Sequence, residues 1–285
     1  MIDLRDKRIG IVLSGGGAKG AYQVGMFRAL RELGLDRQIR AMSGCSIGAY
    51  AEAIYAVRGI DEYRRFLYGF QDMFHDGDVL SDAETAAAKA AVADGRATLE
   101  QFCSERRFWR YEGRALREYV KELVSDRAIE NSRYEMSVCA YSLEKERPVY
   151  FKLGELSDDE KASAIIGSGC LQFLLEPVLL RGQHLVDGGI VPNICRSPAP
   201  ADKIPLQPML MEEVDFILIN FLIARDSVNT KLIPAGTDFL ELRPSAPLEA
   251  YPGAGTLDFS PEKLAGHEKL GYEDTLRCFR QNCIF

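Results

Sequence analysis

The chain is poor in histidine. Only His75, His184 and His267 occur among its 285 residues, which narrows the bases that could serve a nucleophilic hydroxyl, because histidine is the usual one. Its cysteines show no pairing by spacing. Cys45, Cys103, Cys139, Cys170, Cys195, Cys278 and Cys283 are scattered, odd in number, and form no C-x-x-C pair. A disulfide framework or a zinc site is therefore not expected, and a reducing, cytoplasmic compartment is. Long apolar runs are also missing: no segment reaches the ~18 uninterrupted apolar residues of a membrane span. The most apolar stretch, VDFILINFLIA (214–224), is broken by Asp215 and Asn220 and reads as a buried strand. Positive charge is outnumbered, with 35 Lys and Arg against 42 Asp and Glu and a net charge of −7. This argues against nucleic acid as the partner, but leaves peripheral membrane contact open, since a local patch can differ from the total. The opening MIDLRDKRIGIVLSGGG has no long apolar region behind its charged residues, so no signal peptide is expected. Without repeats or a separating linker, residues 1–285 are expected to form one domain.

What is present begins with alternating elements. RIGIVLS (8–14) reads as a buried strand, SGGGAKG as a glycine-rich loop, and AYQVGMFRALRELG (21–34) as a helix stopped by Gly34. QIRAMSG (38–44) is a second strand, and IGAYAEAIYAV (47–57) a second helix. This order predicts an α/β fold with a parallel sheet and helices packed on it. Residues 60–132 carry no strong strand pattern and read as a helical insertion. YEMSVCAYSLEKERPVYFKL (134–153) reads as two strands around a turn, and SDDEKASAIIGSG (157–169) as a helix capped by Ser157. PVLLRGQHLVDGG (177–189) reads as a hairpin turning at Arg181-Gly182, and the proline-bearing 192–208 as a loop or cover. DFILINFL and DFLELRPS are later strands, and 260–281 is a closing helix with Pro261 at its first position.

Gly15, Gly17 and Gly20 satisfy G-x-G-x-x-G between a strand and a helix. A dinucleotide site would also need an acidic residue at the end of the next strand, where Met42-Ser43-Gly44 stands. A Walker-type loop would need Gly-Lys-Ser/Thr, whereas Lys19-Gly20 is followed by Ala21-Tyr22. Two readings remain: an oxyanion hole, in which consecutive glycines let backbone N–H groups converge at a helix N-terminus, or a tight turn that uses glycine's backbone freedom.

The second glycine turn, Gly44-Cys45-Ser46-Ile47-Gly48, also joins a strand to a helix. This is the context of a nucleophile elbow, a sharp turn that lifts a serine hydroxyl above the sheet edge. Cys45 reads as packing. In a parallel sheet both turns lie at the carboxyl ends of neighbouring strands, where α/β ligand sites form. HLVDGGIVPN (184–193) offers a carboxylate, Asp187, on a turn before Gly188 and Gly189; an ordinary Asp-Gly turn is the alternative.

Taken together, Gly15-Gly16-Gly17-Ala18-Lys19-Gly20, Gly44-Cys45-Ser46-Ile47-Gly48 and Asp187-Gly188-Gly189 resemble the patatin-like phospholipase family, in order and spacing along most of the chain. ASAIIGSG and LDFSPEKLAGHEKLGYEDTLR also look like its bacterial members. The resemblance implies a three-layer α/β/α fold with a mainly parallel central sheet. It implies a Ser-Asp dyad cleaving acyl esters of lipids or phospholipids, with no cofactor and no metal. Ser46 matches the nucleophile, Asp187 the base, and Gly15, Gly16 and Gly17 the oxyanion loop. Lys19 matches a basic position whose plain alternative is a surface charge, and Gly44, Gly48, Gly188 and Gly189 support the turns. A dyad needs no histidine, which fits the scarcity of that residue. A catalytically weak lipid-binding or regulatory protein that keeps the fold is the alternative. The sequence departs from the family pattern in GSGCLQFLLEPV and in an insertion, ICRSPAPADK (194–203), before IPLQPML. That insertion and 60–132 are expected to cover the site.

Two further stretches suggest contacts. FCSERRFWRYEGRALR (102–117) interleaves arginines with Phe102, Phe108, Trp109 and Tyr111. It reads either as an interfacial segment meeting anionic lipid or as aromatics packed on the core. His75, Asp76 and Asp78 in FHDGD lack metal-ligand spacing and read as a polar turn. His184 falls on the opposite strand face from Asp187 by alternation.

Overall fold

A short strand, β1 (Ile2–Asp3), precedes β2 (Ile9–Leu13), whose five residues IGIVL are all buried. Burial on both faces is what a central strand covered by helices requires. The computed structural model describes residues 1–74, 79–250 and 254–285. The remaining strands are β3 (Ile39–Cys45), β4 (Glu135–Ser142), β5 (Arg147–Lys152), β6 (Val178–Leu180), β7 (Gln183–Asp187), β8 (Phe216–Asn220), β9 (Asp238–Leu242) and β10 (Cys283–Ile284). The sheet runs β6-β7-β4-β3-β2-β8-β9, with β5 also on β4. β4, β3, β2, β8 and β9 are parallel neighbours, so the fold is α/β with a mainly parallel central sheet. β1 pairs with β10 in a separate two-stranded sheet that joins the chain ends, a pairing too short to leave a pattern in the sequence.

The helices are α1 (Ala21–Glu32), α2 (Ile47–Arg58), α3 (Ile60–Phe74), α4 (Asp82–Ala93), α5 (Leu99–Ser104), α6 (Arg114–Val124), α7 (Asp158–Ser168), α8 (Leu206–Met209) and α9 (Pro261–Asn282). Strand alternation divides them into two outer layers. Leu13, Val138 and Leu185 face a core shared with α1, α2, α3, α6, α7 and α9. On the other face Val12, Ile217 and Ile219 pack on α8, while Tyr141 and Val186 pack on Ala88, Val92, Phe102 and Cys103 of α4 and α5. The region 60–132 thus contributes to both layers. Ser157 caps α7 as the sequence suggests, with Glu160 completing a reciprocal capping box.

The edge of β4 decides the position of the site. β5 lies along one edge from Ser137 to Ser142, so β3 and β7 share the other. β3 pairs with it as far as Cys45 opposite Cys139. β7 takes over, antiparallel, with Asp187 opposite Ala140. The carboxyl ends of β3 and β7 therefore meet end to end.

Candidate active site

Ser46 follows the end of β3 and starts α2. Its backbone is in the positive-φ region, at φ 55° and ψ −124°, a conformation that non-glycine residues adopt only when their surroundings impose it. The imposition comes from close crossing. A Cβ on Gly44 would lie 2.4 Å from the Gly48 carbonyl, and one on Gly48 would lie 2.2 Å from the Leu13 carbonyl oxygen. Strand and helix can meet this tightly only if both positions are glycine. The Ser46 N–H donates to Ser168 Oγ (2.8 Å), and the Ser168 hydroxyl donates to the Cys139 carbonyl (2.6 Å). The end of α7 thereby ties the elbow to β4. Ser168 lies in a stretch that matched the family pattern, but no local periodicity marks it for this contact. Cys45 is fully buried beside Cys139 and packs as the sequence suggests.

Because β3 and β7 abut, Ser46 and Asp187 come together across a long sequence separation. The Ser46 hydroxyl donates to Asp187 Oδ2 at 2.6 Å, and the Gly189 N–H donates to Oδ1 at 2.9 Å. Asp187 is 3% exposed. Burial pushes its carboxyl up to about 6, against the pull of the Ser46 hydroxyl, the Gly189 N–H and the Lys203 ammonium. Gly188 lies against Cys139, where a Cβ would be 2.8 Å from the carbonyl oxygen, and its own carbonyl accepts from Asp202 N–H (2.9 Å).

The glycine loop closes the other side. Gly17 has φ 59°, and a Cβ there would lie 2.0 Å from the Thr256 carbonyl oxygen, while Ala18 N–H donates to that same oxygen at 2.9 Å. No carbonyl among the described residues takes the N–H of Gly16 or Gly17. Gly15 differs: its N–H donates to the Lys203 carbonyl at 2.9 Å. That bond occupies the donor, so Gly15 contributes closeness instead, its Cβ position lying 3.1 Å from Ser46 Cβ. Lys19 is not a surface charge. It is 1% exposed, with Nζ 3.0 Å from Thr256 Oγ1 and 3.4 Å from Glu249 Oε2. Burial pushes its ammonium down while Glu249 supports its charge.

These groups line one cleft of about 300 Å³. Gly15, Gly16, Gly17, Lys19, Ser46 and Asp187 share it with the apolar Leu171, Ile190 and Ile223, and with Lys203, Arg225 and Glu249. Ile190 stands in the turn that carries Asp187; the other five of these last six carry no motif, and only the tertiary fold brings them to the site.

Other sequence expectations resolve differently. Among the described residues, none of 60–132 lines the cleft, and of 194–203 only Lys203 does. The insertion does not cover the site. It docks on the turn between β4 and β5, where Glu146 accepts from Arg196, Ser197 and Ala199 N–H, and the Tyr141 hydroxyl donates to Ala199. In 102–117 the aromatic side chains of Phe102, Phe108 and Trp109 are buried, and Arg107, Arg110 and Arg117 pair with Glu105, Asp82 and Glu176. The packing alternative therefore holds for that segment. His184 Nδ1 lies 2.6 Å from Glu144 Oε1, away from the cleft. His267 is buried on α9 and does not line it. His75, Asp76 and Asp78 lie outside the described residues. Among the described residues no group of three or more His, Cys, Asp or Glu side chains could hold a metal ion, and no helix is long and apolar enough to cross a membrane.

The chain is 27% identical over 192 residues to lysophospholipase nte1 of Aspergillus terreus, covering 66% of this chain and 11% of that protein. It is 24% identical over 211 residues to an uncharacterized NTE family protein of Mycobacterium tuberculosis, covering 74% of this chain and 48% of that protein. It spans less than half of either relative's length. Among solved structures, VipD from Legionella pneumophila superposes with a TM-score of 0.47 at 15% identity, over 96% of this chain and 67% of that one. The sequence model of the patatin-like phospholipase family matches residues 11–200, and the chain belongs to that family.

Proposed function

We propose that the chain is a serine acyl hydrolase that cleaves ester bonds of lipids or phospholipids, working as one domain with Ser46 as nucleophile and Asp187 as general base. The observation that carries this reading is the 2.6 Å hydrogen bond from the Ser46 hydroxyl to Asp187 Oδ2, in a cleft that no histidine lines among the described residues. A buried carboxylate with its pKa raised to about 6 is a stronger base than a solvated one, yet ionised at neutral pH. As Ser46 Oγ bonds to the acyl carbonyl carbon, its proton passes to Asp187. The oxyanion of the tetrahedral intermediate accepts from the N–H groups of Gly16 and Gly17. Collapse breaks the ester C–O bond, and the leaving alkoxide takes the proton back from Asp187. Water, deprotonated by Asp187, then releases the acid from the acyl-enzyme and restores Ser46. Leu171, Ile190 and Ile223 offer an apolar wall for an acyl chain. Ile190 and Val191 expose apolar side chains next to the base, a rim at which a lipid surface can be met. A fluorophosphonate probe should label Ser46 in the wild type and leave Ser46→Ala unlabelled, as read by peptide mass spectrometry. A folded wild type that resists the probe would favour the lipid-binding alternative without turnover.

A further inference from the structure

Lys203 ends the inserted segment and is the only residue of that segment lining the cleft, among the described residues. Its backbone is held from several sides. Its carbonyl accepts from Gly15 N–H at 2.9 Å. Its Cβ lies against Gly189, 2.9 Å from where a Cβ on that glycine would stand, and Gly189 is the residue whose N–H holds Asp187 Oδ1. The preceding Asp202 donates its N–H to Gly188 and accepts from the Tyr150 hydroxyl (2.6 Å) and Ile204 N–H (3.2 Å). From this pinned backbone the side chain reaches Asp226, which lies beside the cleft, with Nζ 3.1 Å from Oδ2. One residue thus touches the glycine loop and the turn that carries the carboxylate.

The charges around Asp187 single out the same residue. From β3 and β4 it faces the thiols of Cys45 and Cys139, from α2 the Tyr50 hydroxyl, and from the segment after α7 the Cys170 thiol. Burial pushes all four up, so they are neutral over the working range. Lys203 brings a positive charge, and its own neighbours in and beside the cleft are Asp226, Lys19, Glu249 and Arg225. A cation near a desolvated carboxylate favours its ionised form.

We infer that Lys203 is a positioning residue for both halves of the site: its carbonyl anchors the glycine loop, and its side chain, packed on the Gly189 turn, lends positive charge to the side of the cleft that holds Asp187. The inference rests on the assignment of Asp187 as the base. It can be tested on the full chain by the rate of fluorophosphonate labelling between pH 5 and pH 9, which needs no knowledge of the natural substrate. Wild-type labelling should rise as the pH passes about 6. In Lys203→Met the backbone carbonyl stays, so the anchor on Gly15 stays, but the rise moves to higher pH. Relative to its own plateau, labelling at pH 6 should fall about twofold, the effect of displacing a titration centred near pH 6 by half a pH unit. Lys203→Arg should follow the wild type. Asp226→Asn, which removes the opposing charge, should shift the rise to lower pH, and it carries the test if Lys203→Met does not fold. A uniform loss in Lys203→Met with the wild-type pH dependence would overturn the inference. A wild type unlabelled at every pH would instead overturn the assignment of Ser46 and Asp187.

Discussion

Two buried carboxyl groups flank the start and middle of α2, and they differ in company. Asp187 faces the serine that begins the helix, and each of its oxygens accepts a hydrogen bond. Glu52, inside the helix, is fully buried, and neither of its oxygens has a hydrogen-bond partner among the described residues. Burial pushes both upward, Asp187 to about 6 and Glu52 well above the ordinary carboxyl range. Desolvation disfavours the charged form wherever it acts; local donors and cations decide how much charge survives. Asp187 is left with a carboxylate at neutral pH that can take a proton. Glu52 is left as a neutral acid in the core. Perturbation alone therefore does not mark a catalytic group.

Isosteric amides should separate the two sharply. Asp187→Asn should lose about 10³–10⁴-fold in acyl-ester turnover, the scale of removing a carboxylate that acts with a nucleophile, whereas Glu52→Gln should stay within a few-fold of wild type. Turnover measured on one chromogenic ester, with folding checked by circular dichroism, decides this. A dead Glu52→Gln beside an active Asp187→Asn would invert the comparison.

The next effect is on stability. With its folded pKa raised, Glu52 keeps its proton in the folded state while the unfolded state releases it above the ordinary carboxyl range. Folding stability then falls as pH rises through that window. Glu52→Gln removes this loss, so it should match the wild type near pH 4 and gain on it steadily towards pH 8, at up to about 1.4 kcal/mol per pH unit. Denaturant midpoints across pH test this; parallel curves for the two proteins would place an unseen partner at Glu52.

The smallest effects should come from histidine. His184 bonds to Glu144 and His267 is buried on α9, so replacing either by glutamine, or replacing His75, should leave turnover within about threefold of wild type, as for residues outside the reacting set. Loss of activity in any one of them would bring imidazole back into the mechanism.

Much of this could be read along the chain because it is local. The buried run Ile9–Leu13, the helical spacing after it, Ser157 before its acidic turn and the hairpin at Arg181-Gly182 all write their conformation into neighbouring residues. Ser46 and Asp187 were legible for the same reason, each standing in a glycine turn. The errors and omissions share the opposite property. For Lys19 the surface-charge alternative stayed open because Glu249 and Thr256, which bury and bond it, are distant in sequence. The arginine-aromatic stretch at 102–117 was ambiguous because the core that takes Phe102, Phe108 and Trp109 includes Tyr141, Phe173 and Val186. The insertion 194–203 suggested a cover, yet its direction is set by Glu146 and Tyr141 on the β4–β5 side.

By itself, the sequence determined the α/β class, both glycine turns, and the candidate nucleophile and carboxylate. Periodicity, turn chemistry and residue type are properties of short windows, and short windows suffice for them. Only the tertiary structure decided that the two candidates meet. That depends on β3 and β7 sharing one edge of β4, with Cys45 opposite Cys139 and Asp187 opposite Ala140. A slip of one residue in either register would turn the side chains to the other face of the sheet. Register is set by packing across the whole sheet, which is also what brings Ser168 and Lys203 to their places.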